Sequence, residues 1–121
     1  RGLLLSAMRQ PTLFEKRSGE VDAVRIVLYA LGDFQARGLV LAGRDLPLDR
    51  LRGALRRSSD AHGVEELSDE EAVAAFRALG AEVRQVPPFV AKHPFRVIVP
   101  AELAERSRLA YQEILSALKQ A

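Results

Sequence analysis

The longest apolar stretch of the chain, residues 24–42, fits two secondary structures. As a helix, it gathers apolar residues on one face at i, i+3, i+7 and i+10: Val21, Val24, Leu28 and Leu31. As a β-hairpin, it uses the preference of Val, Ile and Tyr for strands. Gly32 followed by Asp is a turn signal, and Gly38 costs about 1 kcal/mol inside a helix. We therefore predict a hairpin with strands near 24–31 and 38–43, and keep the helix as the alternative.

Three later segments have the apolar periodicity of helices, near 47–58, 69–79 and 101–119. The segment near 69–79 has the clearest start. Ser68 and Glu71 have the spacing of a capping box, in which each side chain accepts a hydrogen bond from the backbone amide of the other residue. We predict helices at all three positions.

Two short segments, near 82–86 and 95–99, have the patterns of strands. Together with the hairpin, they predict a small mixed or antiparallel sheet that packs with about three helices, which is an α+β fold. A chain of 121 residues is typical of one domain. We predict a single domain over residues 1–121, with residues 1–20 loosely ordered.

The composition argues against several classes of protein. The chain has no cysteine, so it has no disulfide framework and no thiol chemistry. Its apolar runs are shorter than the roughly 20 residues that span a membrane. The two histidines, His62 and His93, do not have the spacing of metal ligands. We predict a cytoplasmic protein that has no metal site, no cofactor and no contact with membranes.

The basic residues are concentrated around the helix near 47–58. The net charge is only +2, but 15 of the 18 basic residues are Arg, whose planar guanidinium suits phosphate. Four arginines form the stripe that we predict to contact nucleic acid: Arg50, Arg52, Arg56 and Arg57. The alternative is a solvated helix face that the acidic residues between 65 and 71 partly neutralise.

The loop at residues 86–95 is the second candidate site. Three prolines stiffen this loop, which lowers the entropic cost of holding a ligand. Lys92 can bind a phosphate or carboxylate, and a histidine such as His93 changes its charge near neutral pH. The alternative is a rigid connector in which Phe89 and Phe95 pack into the core.

Several segments occur in an order that resembles the YbaK/ProX family of prolyl-tRNA editing domains. They are Leu48-Asp49-Arg50-Leu51, Val64-Glu65-Glu66-Leu67-Ser68-Asp69-Glu70-Glu71, Val86-Pro87-Pro88-Phe89 and Phe95-Arg96-Val97-Ile98-Val99. The resemblance covers roughly residues 24–103 and implies tRNA binding and hydrolysis of wrongly charged aminoacyl-tRNA. The family uses a strand lysine, with which Arg25 aligns, and paired glycines, with which Arg84 and Gln85 align.

We therefore predict a divergent or inactive relative of these aminoacyl-tRNA editing domains that binds tRNA or another nucleic acid. The candidate catalytic residues are Arg25, Lys92 and His93. The alternative is a non-catalytic homo-oligomer or protein-interaction domain. Two features favour this alternative: the sequence has no complete catalytic constellation, and a small sheet must cover its open edge.

Overall fold

The computed structural model describes residues 11–87, 89 and 94–120, with the backbone alone for residues 11–22, and contains four helices and one sheet. In chain order, the elements are α1 (Pro11–Ala36), β1 (Asp45–Pro47), α2 (Leu48–His62), α3 (Asp69–Ala78), β2 (Glu82–Gln85), β3 (Phe95–Ile98) and α4 (Ala101–Gln120). The predicted α+β class is confirmed. Among the described helices, none is long and apolar enough to cross a membrane.

The predicted hairpin is wrong, because residues 24–31 lie in α1. The buried side chains of this helix follow helical spacing: Ile26, Val27, Ala30, Leu31 and Phe34. Helices α2, α3 and α4 all pack against α1. Burial on several sides explains its branched residues, because tertiary packing overrides a weak preference for strands. Within the described range 38–43 there is no strand, and Ala42 forms an isolated bridge with Val99.

The two glycines that suggested strands have other roles. At Gly32, α1 passes α4 so closely that an added Cβ would overlap the side chain of Tyr111 and lie 2.6 Å from the carbonyl oxygen of Ser107. Gly38 follows the end of α1 and has φ 85°, a left-handed conformation that glycine adopts without strain. One glycine therefore permits a close helix crossing, and the other ends the helix.

The three predicted helices are present with small shifts of their ends, and α1 adds a fourth. Helix α3 begins with the predicted capping box. The Glu71 amide donates to Ser68 Oγ at 3.1 Å, and the Ser68 amide donates to Glu71 Oε1 at 2.9 Å. Residues 11–20, which were predicted to be loosely ordered, belong to α1, whereas residues 1–10 lie outside the described part.

The sheet has the order β1-β3-β2, and both pairs of strands are antiparallel. Strands β2 and β3 confirm the segments near 82–86 and 95–99, whereas β1 was not predicted. Leu46 and Val97 are paired across β1 and β3 and are buried towards the helices. On the opposite face, Arg84 Nη2 donates to Asp45 Oδ2 at 2.6 Å and Arg96 Nε donates to Asp45 Oδ1 at 3.1 Å.

Both edge strands are partly blocked. Arg77 of α3 donates from Nη2 to the carbonyl oxygen of Val83 in β2 at 3.3 Å. Strand β1 has three residues and ends at Pro47, which has no amide hydrogen to donate. Short strands, proline and covering side chains are devices that prevent another chain from adding a strand. The sheet therefore offers little free backbone for intermolecular pairing.

Candidate functional site

The arginine stripe on α2 is largely occupied by contacts within the chain. Arg52 Nη1 donates to Glu66 Oε2 at 3.2 Å and to the Leu67 carbonyl at 2.7 Å, and Arg52 Nη2 pairs with Asp69. Arg56 Nε donates to Glu66 Oε1 at 3.3 Å. These contacts agree with the alternative of a face neutralised by the acidic run. The prediction that this face binds nucleic acid stays a prediction.

The other two members of the stripe differ from this pattern. Arg50 is exposed, and no partner for it is present within the described residues. Arg57 pairs with Asp33 of α1 and not with the acidic residues between 65 and 71. The four arginines therefore do not form one continuous cationic face.

The three candidate catalytic residues are not brought together within the described chain. Arg25 lies on α1, where its Nε donates to His62 Nε2 at 3.3 Å. Lys92 and His93 lie outside the described residues. Of the aromatic residues in the same loop, Phe89 is 89% exposed, whereas Phe95 packs against the core.

A cluster that the sequence analysis did not predict lies where α1 meets α2 and α4. Four polar residues follow one another at intervals of one helical turn: Arg25, Tyr29 and Asp33 in α1, and Arg37 directly after its end. Helix α2 adds Arg57 and His62, and helix α4 adds Tyr111. We call these seven residues the polar cluster.

A buried carboxylate lies at the centre of the polar cluster. Asp33 is only 6% exposed, and its Oδ2 accepts hydrogen bonds from Arg57 Nε at 2.8 Å and Arg37 Nε at 3.3 Å. Arg57 Nη2 also lies 2.6 Å from this oxygen. A carboxylate at this depth needs such partners, because removal of a charge from water costs several kcal/mol when it is unpaired.

The imidazole of His62 is held in one tautomer by its two partners. His62 Nδ1 lies 2.8 Å from the Ser58 carbonyl oxygen, which can only accept, so Nδ1 carries a proton. Nε2 accepts from Arg25 Nε and therefore carries the lone pair of a neutral ring. The same turn of α2 is anchored to α1, because Ser58 Oγ donates to the Ile26 carbonyl at 2.7 Å.

Tyr29 joins the two sides of the polar cluster. Its ring makes edge-on contacts with His62, at 5.4 Å between centroids, and with Tyr111, at 4.9 Å. Burial raises the pKa of the Tyr29 hydroxyl, Tyr111 and Asp33 raise it further, and Arg37 opposes them. The hydroxyl therefore keeps its proton at neutral pH and can donate a hydrogen bond.

Two shallow cavities lie elsewhere on the described surface. The larger, of about 310 Å³, is lined by Leu79, Gly80, Pro100, Glu102, Leu103 and Arg106. The smaller, of about 50 Å³, lies between α2 and the start of β3. Across the described residues, no group of three His, Cys, Asp or Glu side chains is placed to hold a metal ion. Within the described residues, we therefore take the polar cluster as the candidate site.

Comparison of the chain with protein-family models, with curated proteins and with solved structures finds no match. The resemblance to the YbaK/ProX editing domains therefore stays a prediction that rests on the order of short motifs. Arg25, which aligns with the strand lysine of that family, lies on a helix in this chain and not on a strand.

Proposed function

We propose that this chain is a binding domain for a phosphate-bearing ligand, and that the polar cluster holds this ligand. The observation that carries the proposal is the polar cluster itself, in which Arg37 and Arg57 pair with the buried carboxylate of Asp33. Arg25 lies two helical turns from Asp33 and pairs with His62. The macromolecule that we propose as the source of the phosphate is RNA, in line with the tRNA binding that the sequence predicts.

The charge of the polar cluster favours an anion. Arg25, Arg37 and Arg57 supply three positive charges, while Asp33 supplies one negative charge and His62 is neutral. Two positive charges therefore remain in excess. The guanidinium group binds phosphate through two parallel hydrogen bonds, which makes arginine better suited to this anion than a point charge is.

Free donors are available to make those hydrogen bonds. Arg25 and Arg37 are exposed, and each uses only its Nε in the contacts described above. Their terminal nitrogens have no partner among the residues that the structure describes. These groups can therefore bind a ligand without breaking the pairs that neutralise Asp33.

Packing alone does not account for the polar cluster. Asp33 and Tyr29 are 6% and 7% exposed, on a helix whose other buried side chains are apolar. Well-packed apolar residues of similar volume are often as stable as a buried ion pair, or more stable. A binding role explains why the chain places charged and hydroxyl groups at this position.

The proposal changes the predicted nucleic-acid site but keeps one of its residues. Arg57 belongs to the predicted stripe and also to the polar cluster. Aromatic rings beside arginines are typical of sites that bind single-stranded nucleic acid, and Tyr111 is the half-buried ring of the polar cluster, whereas Tyr29 is buried. Hydrolysis of an aminoacyl ester, which the family resemblance implies, stays a separate prediction.

The alternative of a homo-oligomer or interaction domain also stays a prediction. Its support in the structure is exposed apolar surface, with Val40 61% exposed and Phe89 exposed at the β2–β3 loop. Against it, Arg77 and Pro47 reduce the pairing capacity of the two sheet edges, which were one of the two reasons for this alternative.

The proposal is tested by the fluorescence anisotropy of labelled tRNA across a salt series, with a nucleoside monophosphate as competitor. We expect the affinity to fall log-linearly with salt, as phosphate contacts require. Replacing Arg25 or Arg37 by Gln should weaken binding by about tenfold and reduce the salt slope by about one. Competition by the monophosphate would identify the free nucleotide as a sufficient ligand, and its failure would indicate that the RNA strand is needed.

Arg50→Gln is the matched control, because it removes one exposed arginine from the predicted α2 stripe. We expect this variant to bind nearly as well as the wild type. Equal losses for Arg25→Gln and Arg50→Gln would contradict a localised site. A loss confined to Arg50→Gln would favour the α2 stripe instead, and no binding at low salt would overturn the proposal.

A further inference from the structure

The contact between Arg25 and His62 is possible only while the imidazole is neutral. In this contact, the Arg25 Nε–H points at the lone pair of His62 Nε2 over 3.3 Å. The other ring nitrogen, Nδ1, already carries a proton, which it donates to the Ser58 carbonyl. A proton added to His62 must therefore go to Nε2, where it would face the N–H of Arg25.

We propose that binding of the phosphate-bearing ligand is coupled to uptake of a proton at His62 Nε2. This inference rests on the proposed function of the polar cluster. A protonated His62 and Arg25 repel each other as two donors and two positive charges. Once this repulsion has moved the two donors apart, a phosphate can accept from both, so the doubly charged pair binds it more strongly than the resting pair does. By linkage, the ligand favours protonation and protonation favours the ligand.

A histidine is the side chain that changes its charge nearest to neutral pH, and the groups that face His62 come from three helices. From α1, Arg25 and Tyr29 face the ring, and Asp33 lies one turn further along the same helix. From α2, Arg57 pairs with Asp33, and from α4, Tyr111 packs on Tyr29. The arginines keep their charge, the Tyr29 hydroxyl keeps its proton, and Asp33 stays paired with two guanidinium groups.

The probe must keep the same charge over the pH range of the test, so that any proton taken up belongs to the protein. A phosphate monoester changes its own charge near pH 6, which would imitate proton uptake by the protein. A short oligouridylate without a terminal phosphate avoids this problem, because its phosphodiesters and bases keep the same charge across this range. Its affinity is measured by fluorescence anisotropy at several pH values and at constant ionic strength.

We expect the dissociation constant of the wild type to fall by about tenfold between pH 8 and pH 5.5, within the limit of tenfold per pH unit for one linked proton. Titration calorimetry in buffers of different ionisation enthalpy should show a net uptake of protons on binding. This second measurement needs no variant, so it does not depend on how a substitution affects folding.

His62→Gln is the diagnostic variant. The Gln side chain can place an amide oxygen near the position of Nε2, so it can still accept from Arg25 but cannot take up a proton. Whatever its affinity at pH 8, we expect this variant to bind no more tightly at pH 5.5. His93→Gln removes the other histidine of the chain and should keep the full pH dependence.

The outcomes separate this inference from the proposed function. Binding that is equally tight at both pH values, with no proton uptake, overturns the inference and leaves the binding site in place. Loss of the pH dependence in His93→Gln but not in His62→Gln overturns the assignment to His62. No binding of oligouridylate or tRNA at any pH overturns the proposed function itself.

Discussion

Tyr29 is the residue at which helices α1, α2 and α4 meet in the polar cluster. Its ring touches both His62 and Tyr111, and its hydroxyl lies in the field of Asp33. Burial, Tyr111 and Asp33 all disfavour the phenolate and raise its pKa above the ordinary value near 10. The folded chain therefore holds this proton more tightly than the unfolded chain does.

The raised pKa of Tyr29 predicts how stability depends on pH. Because the folded pKa exceeds the unfolded one, its contribution is fully present below about pH 10 and is lost as the pH rises through the folded pKa. Tyr29→Phe removes the ionisable group, so it should lose less unfolding free energy than the wild type between pH 8 and pH 11. Urea unfolding of both proteins at each pH measures this difference. Identical alkaline losses would contradict the prediction.

At the scale of elements, local signals predicted α2, α3, α4, β2 and β3, and failed for α1 and β1. The capping box of α3 depends on residues three positions apart, so it can be recognised without knowledge of the fold. The branched residues of α1 favour strands when considered alone. Their helical conformation depends on burial against three other helices, which no local pattern contains.

The polar cluster was missed for the same reason. The intervals of four residues from Arg25 to Arg37 have no meaning in a hairpin, where residues four apart lie on one face but more than 12 Å from each other. In a helix, they form one continuous stripe. The partners on α2 and α4 are distant in sequence and could be identified only from the structure. Only Arg25 and Arg57 were predicted site residues, and their contacts were not predicted.

At Gly32, tertiary packing should reverse the usual effect of a Gly→Ala substitution on the stability of a helix. On propensity alone, Gly→Ala inside a helix stabilises a protein by about 0.5–1 kcal/mol. In α1, the new Cβ would overlap the Tyr111 side chain and the Ser107 carbonyl, both of which belong to α4. We expect Gly32→Ala to lower the unfolding free energy by about 1–3 kcal/mol, because the two helices must move apart.

Gly53→Ala provides the matched control for this crossing. Gly53 lies within α2, and the nearest atom to an added Cβ is Arg57 Nη1, at the flexible end of a side chain, 3.5 Å away. Here the same substitution should raise the unfolding free energy by about 0.5–1 kcal/mol. Thermal and urea unfolding measure both effects. Stabilisation by both substitutions would show that the crossing of α1 and α4 is not as close as described.

At the scale of the whole molecule, many of the described arginines are paired within the chain. Seven arginines form ion pairs among the described residues: Arg37, Arg52, Arg56, Arg57, Arg84, Arg96 and Arg108. The high arginine content therefore does not by itself indicate nucleic-acid binding, which agrees with the net charge of only +2. What favours an anion is the local excess of positive charge in the polar cluster.

The association state of the molecule depends on how the edge strand β2 is covered. Arg77 reaches the carbonyl oxygen of Val83, which points away from β3. Removal of this side chain in Arg77→Ala would expose an acceptor on the edge and allow a second copy to pair with β2. We expect Arg77→Ala to show a higher average mass than the wild type in sedimentation experiments, increasingly so with protein concentration.

Arg108→Ala is the control, because it removes an exposed arginine whose ion pair among the described residues is with Glu105 of its own helix. It changes the net charge equally but does not touch the sheet. If both variants sediment like the wild type, the Arg77 contact does not protect the edge. If both associate, the lost positive charge is responsible rather than the exposed carbonyl. Association of Arg77→Ala alone would establish that one side chain from α3 limits pairing between the sheets of separate molecules.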